Sequence, residues 1–269
     1  MGVHDRLTPW GGAAQLQDKD NSRYPVSFVN LPSYAAIPVL SLGDKLRLLK
    51  TMVRLFISGG AKNAFNGAQL AAYDDGDNLE AWSRRNLGDR PYEYIVRPIM
   101  DFLYAVPPSW LSTPFPIAII QQAFKMKLSV PPGGIGQVSD WLIEHSKGAQ
   151  VHLSTRVDRI EKSGSGYQVF AGGQSYEADG LVVATEAFVA AELLKEFITP
   201  ATSKKLMETP YTDYAHVAVG YAKSPWPDFP ADIVMPVGVG ETRNVGAIVL
   251  HSRRHPSSAN PQKISARAY

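Results

Sequence analysis

Six histidines, twenty-five carboxylates and no cysteine are what this 269-residue chain offers for chemistry unaided. His145, His152, His216, His251 and His255 show no spacing typical of a metal site, and the carboxylates are scattered as surface residues are. Without cysteine there is no thiolate metal site, no disulfide framework and no thiol nucleophile. Glycine is the remaining chemical signal. A strand, then G-x-G-x-x-G, then a helix, with an acidic residue about twenty positions on, seats a dinucleotide pyrophosphate on a helix N-terminus. No segment reads that way, because Gly133, Gly134 and Gly136 follow Pro131-Pro132 rather than a strand. Catalytic residues are therefore not legible, and no residues are assigned to a metal. Two classes of function stay open: an enzyme whose chemistry is carried by a bound cofactor, and a non-catalytic product.

The elements that would position a cofactor lie between Val130 and Ala191. Pro131-Pro132-Gly133-Gly134 forbids regular structure and releases the chain into a helix, with Ile135, Val138 and Leu142 at helical spacing and Trp141 alongside. Lys147-Gly148 ends it. A short extended segment at Val151–Leu153 and a strand through Val157 and Ile160 follow. Ser163-Gly164-Ser165-Gly166 turns into the strand Tyr167–Phe170, and Gly172-Gly173 makes a second turn. Leu181-Val182-Val183-Ala184 is a continuous apolar run, expected to be a central strand covered on both faces.

That order resembles the middle of the FAD-dependent amine oxidase and protoporphyrinogen oxidase superfamily, which includes phytoene-desaturase-like enzymes. The likeness is carried by PPGGIGQVSDWL, VHLSTRVDRIE and YEADGLVVATEA. DGDNLEAWSRRNLGDRPYEYIVRPIMDFLYAVPPSWLST upstream and MPVGVGETRNVGAIVLHSRRHP downstream extend it over most of the chain. The resemblance implies FAD as cofactor, with the main chain of Val157 on the adenine edge and Ala184 and Thr185 in the flavin site. Val157 as an ordinary core valine is the alternative. Glu186 departs from the family, which commonly has proline there. The implied activity is hydride removal from an apolar substrate, such as a porphyrinogen, polyene or amine. With the fingerprint and the closing glycine motif both missing, the chain reads as an internal portion of a flavoprotein, or as a subunit needing a partner chain to complete the flavin site.

The expected fold class is α/β: a partial FAD/NAD(P)-binding, Rossmann-like domain with a helical plus antiparallel-sheet substrate domain. Residues 1–130 form the first part of the substrate domain, 131–197 the FAD-binding segment, and 198–269 a substrate-domain sheet with strands at 215–221 and 245–250. An apolar fraction of 45% with 19% charged residues is ordinary globular usage, and a formal charge of +2 gives no argument for nucleic acid. No apolar run is long enough to span a bilayer and no signal pattern opens the chain, so cytoplasm is the expected location. Residues 1–40 give little regular signal, with short strands expected at Val26–Val29 and Tyr34–Ile37. Ser41 with Asp44 caps a helix to about Ser58. Its positions Leu42, Leu46, Leu49, Val53 and Phe56 line one side, widened by Leu48, Met52 and Leu55, and Arg47, Lys50 and Arg54 fall on the opposite arc. This helix reads either as a core helix with a solvated basic back or as a peripheral membrane contact through residues 41–58. Asp77 with Glu80 caps another helix ending at Gly88. The aromatic tract Tyr92, Tyr94, Phe102, Tyr104 and Trp110 reads as core or as the wall of an apolar pocket.

Overall fold

A computed structural model describes residues 3–30, 32–57, 66–71, 74–123, 127–213, 215–220, 230–238, 245–250 and 263–268. In chain order the strands are β1 (Thr8–Pro9), β2 (Ala13–Gln17), β3 (Arg23–Ser27), β4 (Ser129–Val130), β5 (Val157–Ser163), β6 (Gly166–Ala171), β7 (Gln174–Ala178), β8 (Ala215–Gly220), β9 (Ile233–Pro236), β10 (Ala247–Val249) and β11 (Lys263–Ala268). The α-helices are α1 (Pro32–Ala35), α2 (Leu42–Ile57), α3 (Gly67–Leu70), α4 (Leu79–Asn86), α5 (Asp89–Pro91), α6 (Arg97–Tyr104), α7 (Pro114–Ala123), α8 (Gln137–His145), α9 (Ala187–Leu193) and α10 (Pro200–Met207). Helices and largely antiparallel sheets are thus mixed, as the α/β expectation requires. The chain divides into two compact units, residues 1–142 with 213–269 and residues 143–212.

The larger unit is built on a six-stranded sheet of order β3-β2-β9-β10-β11-β8. Every pairing is antiparallel except β2 with β9. Because side chains alternate across a strand, Ala14 and Leu16 enter the core while Gln15 takes the other face. Ile233, Met235, Ala247 and Val249 join the same core with Tyr34, Ile37, Leu40 and Phe102. Phe28 stacks on Phe102 at 5.5 Å, and the Trp10 indole donates to Asp232 at 2.6 Å, tying the start of β2 to that of β9. Tyr34–Ile37 is not a strand. Pro32 suits the first turn of a helix, and Ser33 donates both N–H and O–H to the Asn30 carbonyl, so one helical turn forms instead.

Ser41 and Asp44 cap α2 reciprocally: Asp44 N–H donates to Ser41 Oγ at 3.1 Å and Ser41 N–H to Asp44 Oδ2 at 2.9 Å. The orientation of α2 reverses the core-helix expectation. Its inner side is Leu48, which packs on the core, with the buried Thr51 and Leu55. Thr51 donates to the Asn86 carbonyl at 3.1 Å, and Gln121 of α7 donates to the Leu55 carbonyl at 2.8 Å. Leu42, Leu46, Leu49, Val53 and Ile57 are left 46–80% exposed. Polar anchors on the inner side decide which arc is buried. The Phe56 side chain and the expected helix end at Ser58 lie outside the described residues.

Asn78, rather than Asp77, caps α4 by accepting from Ala81 N–H at 2.9 Å, and Asp77 pairs with Arg85. Pro98 has no N–H to give a helical ladder, and the chain meets this with a π-helical turn at Tyr92–Val96 running straight into α6. Tyr92 and Phe102 are buried whereas Trp110 is exposed, so most of the aromatic tract packs as core.

The smaller unit holds the three-stranded meander β5-β6-β7, with α9 packed on β5 and α10 on α9. Leu181–Ala184 is a correction. It is not a strand, and Val182 is 89% exposed. A continuous apolar run becomes a strand only when neighbours bond its backbone and cover both faces, and among the described residues no strand pairs with this one. Val151–Leu153 is likewise outside any strand. On α8, Trp141 is buried under the Arg6 guanidinium, but Leu142 and Ile143 are exposed, as is Ile135 in the turn before the helix.

Candidate functional site

Two tight turns set the register of the meander. Gly164-Ser165 links β5 to β6, and Gly172-Gly173 links β6 to β7 with φ of +58° and +78°, backbone that L side chains resist. Gly166 cannot be enlarged, because a Cβ there would stand 2.5 Å from the Ala178 carbonyl oxygen. Arg159 lies over the Phe170 ring at 3.4 Å and Lys162 over Tyr167 at 4.5 Å, so both cations cover aromatic faces. Tyr167 meets Phe197 edge-on at 5.8 Å, which anchors the segment after α9 to the sheet.

Val157 opens β5, opposite Ala171. Gly172 N–H donates to the Arg156 carbonyl at 3.2 Å. In an antiparallel ladder that bond flanks a pair whose own peptide groups do not bond each other, so the N–H and C=O of Val157 point away from β6. β5 is an edge strand, and Val157 is 36% exposed. A donor and an acceptor from one residue are thereby presented side by side on an open edge, just before the irregularity between Val157 and Arg159. Ala184 and Thr185, both exposed, lie in the segment leading into α9, where the Thr185 hydroxyl donates to the Glu186 carbonyl at 3.3 Å. Glu186 is exposed and makes no side-chain cap to α9; the Ala187 N–H donates to the Tyr211 hydroxyl at 2.6 Å. β5 and α9 pack together, which brings Val157 and the pair Ala184-Thr185 into one unit without a hydrogen bond between them.

The larger unit holds polar features that no sequence pattern singled out. Gln15 is buried, and its Oε1 has no partner among the described residues. Its neighbours across the sheet on the same face are Pro25 of β3 and Val234 of β9, with Ile248 of β10 beyond. Asp18 receives the Tyr94 hydroxyl, whose own pKa is raised to about 12 by burial and by that carboxylate. Arg84 binds Glu80, Asp89 and Glu93 while stacking at 4.1 Å on Tyr92. Burial works against its charge, and the three carboxylates outweigh it and raise its pKa. Asp101 moves the other way for a carboxyl: burial pushes it up to about 6, partly opposed by Arg97. Among the described residues no group of three or more histidines and carboxylates is placed to hold a metal. His251 and His255 lie outside them.

The model of the flavin containing amine oxidoreductase family matches residues 3–262. This chain belongs to that family. Membership in the flavin containing amine oxidoreductases implies a flavin cofactor. Among solved structures, an oxidoreductase from Methanosarcina mazei superposes with a TM-score of 0.70 at 13% identity, over 98% of this chain and 61% of its own. Cyclohexylamine oxidase from Brevibacterium oxydans IH-35A gives 0.63 at 16% identity, over 97% and 57%. A protein assigned as a protoporphyrinogen oxidase from Exiguobacterium sp. 255-15 gives 0.64 at 14% identity, over 99% and 60%. The chain thus spans about three fifths of these proteins while sharing their fold. No curated protein matches it. Among the described residues no helix is long and apolar enough to cross a membrane.

Proposed function

We propose that this chain is the adenine-side and substrate-side portion of an FAD-dependent oxidoreductase that takes hydride from an apolar small molecule. In that reaction the substrate would lose a hydride from carbon and a proton from the adjacent nitrogen or carbon, forming a double bond between the two atoms, and the flavin, held by Val157, Ala184 and Thr185, would supply the two-electron acceptor. The flavin supplies the redox chemistry, and the protein supplies position and electrostatics. The observation that carries the reading is the outward-facing N–H and C=O of Val157 on the open edge of β5, in a chain of a flavin family. A purine edge offers one acceptor beside one donor, which that pair of backbone groups complements. Thr185, ahead of α9, is the second contact in this reading, with Ala184 leaving room beside it.

A second reading is favoured by Leu181–Ala184: an apolar run with no strand beside it among the described residues and Val182 at 89% exposure is what a subunit completed by a partner chain leaves open. Under it the isolated chain holds FAD weakly, since a few backbone hydrogen bonds of about 0.5–1.5 kcal/mol each face an association cost of about 4–15 kcal/mol.

Both are tested by titrating FAD against the purified chain and its Val157→Ala and Val157→Pro variants, followed by flavin fluorescence. Proline removes the outward N–H without breaking a ladder bond, which edge strands tolerate. Weak binding that alanine preserves and proline reduces several-fold is expected. Equal binding by all three removes Val157 from the site, and stoichiometric flavin retained through purification refutes the partner-requiring reading.

A further inference from the structure

We propose that α2 is one side of a two-helix seam whose other side is an amphipathic helix with acidic flanks, carried by a partner protein. Leu42, Leu46, Leu49 and Val53 follow one another at intervals of four, three and four residues, the alternation that keeps a seam facing a second helix. All four are exposed, with Ile57 continuing the stripe at the C-terminal end. The stripe covers roughly 80° of the helix circumference, narrower than the apolar arc of a surface helix that packs on its own core. The opposite side of α2 is already committed, through Leu48, Leu55 and the Thr51 and Gln121 hydrogen bonds. Among the described residues of the larger unit nothing covers the exposed arc.

Charge selects the occupant. With Leu46 and Val53 at one seam position and Leu42 and Leu49 at the other, Lys45 and Lys50 fall on the two flanks, where seam partners meet electrostatically. Neither makes a salt bridge among the described residues. The acidic residue of α2, Asp44, is taken up by the Ser41 cap. A second copy of α2 would set lysine against lysine in either orientation, so self-pairing is opposed. A partner with glutamate or aspartate at its flanks gains two ion pairs and buries the leucines. At sixteen residues, about 24 Å, α2 matches roughly two heptads of such a partner.

The test uses two designed helical peptides, identical with leucine and isoleucine at their seam positions, one carrying glutamate at the flanks and the other lysine. Fluorescence anisotropy is read with the full chain, with Leu46→Asp/Leu49→Asp and with Lys45→Glu/Lys50→Glu. The glutamate peptide should bind the native chain roughly tenfold or more tightly than the lysine peptide. The first double variant should lose both peptides and the second should reverse the preference, with circular dichroism unchanged because these side chains are exposed. Co-sedimentation with phosphatidylcholine vesicles, with and without phosphatidylglycerol, separates a lipid surface from a helix. No peptide binding, equal binding of both peptides, or binding to anionic vesicles that the glutamate peptide does not displace overturns the proposal.

Discussion

The Tyr94 hydroxyl stands 3.0 and 3.1 Å from the two carboxylate oxygens of Asp18, joining the π-helical turn to the end of β2 across 76 positions of sequence. Asp18 is buried, and Lys19 N–H also donates to it at 2.6 Å, so the phenol is one of a small set of donors that keep a carboxylate tolerable there. Tyr94→Phe should therefore cost about 1.5–3 kcal/mol, the range for a hydrogen bond to a charged group. Urea unfolding followed by tryptophan fluorescence measures it. A loss below about 0.5 kcal/mol would show that Asp18 is satisfied without the phenol.

Asp101 gives the larger unit a pH dependence of definite sign. Its carboxyl titrates near 3.8 when unfolded and is pushed up to about 6 in the fold, by burial first. The folded state thus holds the proton more tightly, so stability present below about pH 4 is lost as pH rises through about 6. Asp44 and Asp20, whose pKa values are lowered by hydrogen bonds from serines, act below about pH 4 and leave this window alone. Asp101→Asn should flatten stability between about pH 4 and 7, removing a fall of about 1–3 kcal/mol. Denaturation midpoints at the two pH values read the slope, and an unchanged slope in the variant would assign it to other groups.

The sequence shows most plainly what local chemistry dictates. The Ser41–Asp44 cap, the two glycine turns of the meander and the strands at 215–220 and 247–249 follow from spacing and turn residues. What local pattern does not contain is the partner. Leu181–Ala184 has the composition of a central strand, but strand formation needs a neighbour's backbone. The leucines of α2 have the composition of a core face, but Thr51 and Gln121 turn the other side inward. The outward peptide groups of Val157 depend on ladder parity, set by the Arg156 and Gly172 bond, to which a side-chain pattern is blind. Gln15 reads as one polar residue in a short alternating strand, and its isolation appears only when Pro25 and Val234 are seen beside it.

That isolation has a measurable sign. A buried amide oxygen without a donor forfeits about 1–3 kcal/mol, so replacing the amide by an apolar group of similar length should relieve the penalty. Gln15→Met is expected to leave stability unchanged or raise it by about 1 kcal/mol. Destabilisation of about 2 kcal/mol in thermal and urea unfolding would mean that ordered water already satisfies the oxygen.

Hydrogen exchange is expected to divide the smaller unit sharply. Amides bonded within the β5-β6-β7 ladders, such as that of Gly172 to the Arg156 carbonyl, should be protected. Among the described residues the amides of Val182, Val183 and Ala184 have no backbone acceptor, and they should exchange at rates near those of an unstructured peptide. Val182→Lys should then change stability by less than about 0.5 kcal/mol, as substitutions at open surface positions do. If a partner strand pairs with this run, an alternate set of these amides, either Val183 or Val182 with Ala184, become ladder donors and Val182 a buried side chain. Adding that partner should slow exchange of that alternate set, and lysine at 182 should abolish the slowing while leaving the isolated chain intact. Protection of residues 182–184 in the chain alone would contradict the open-run geometry and remove the argument for a partner at this edge.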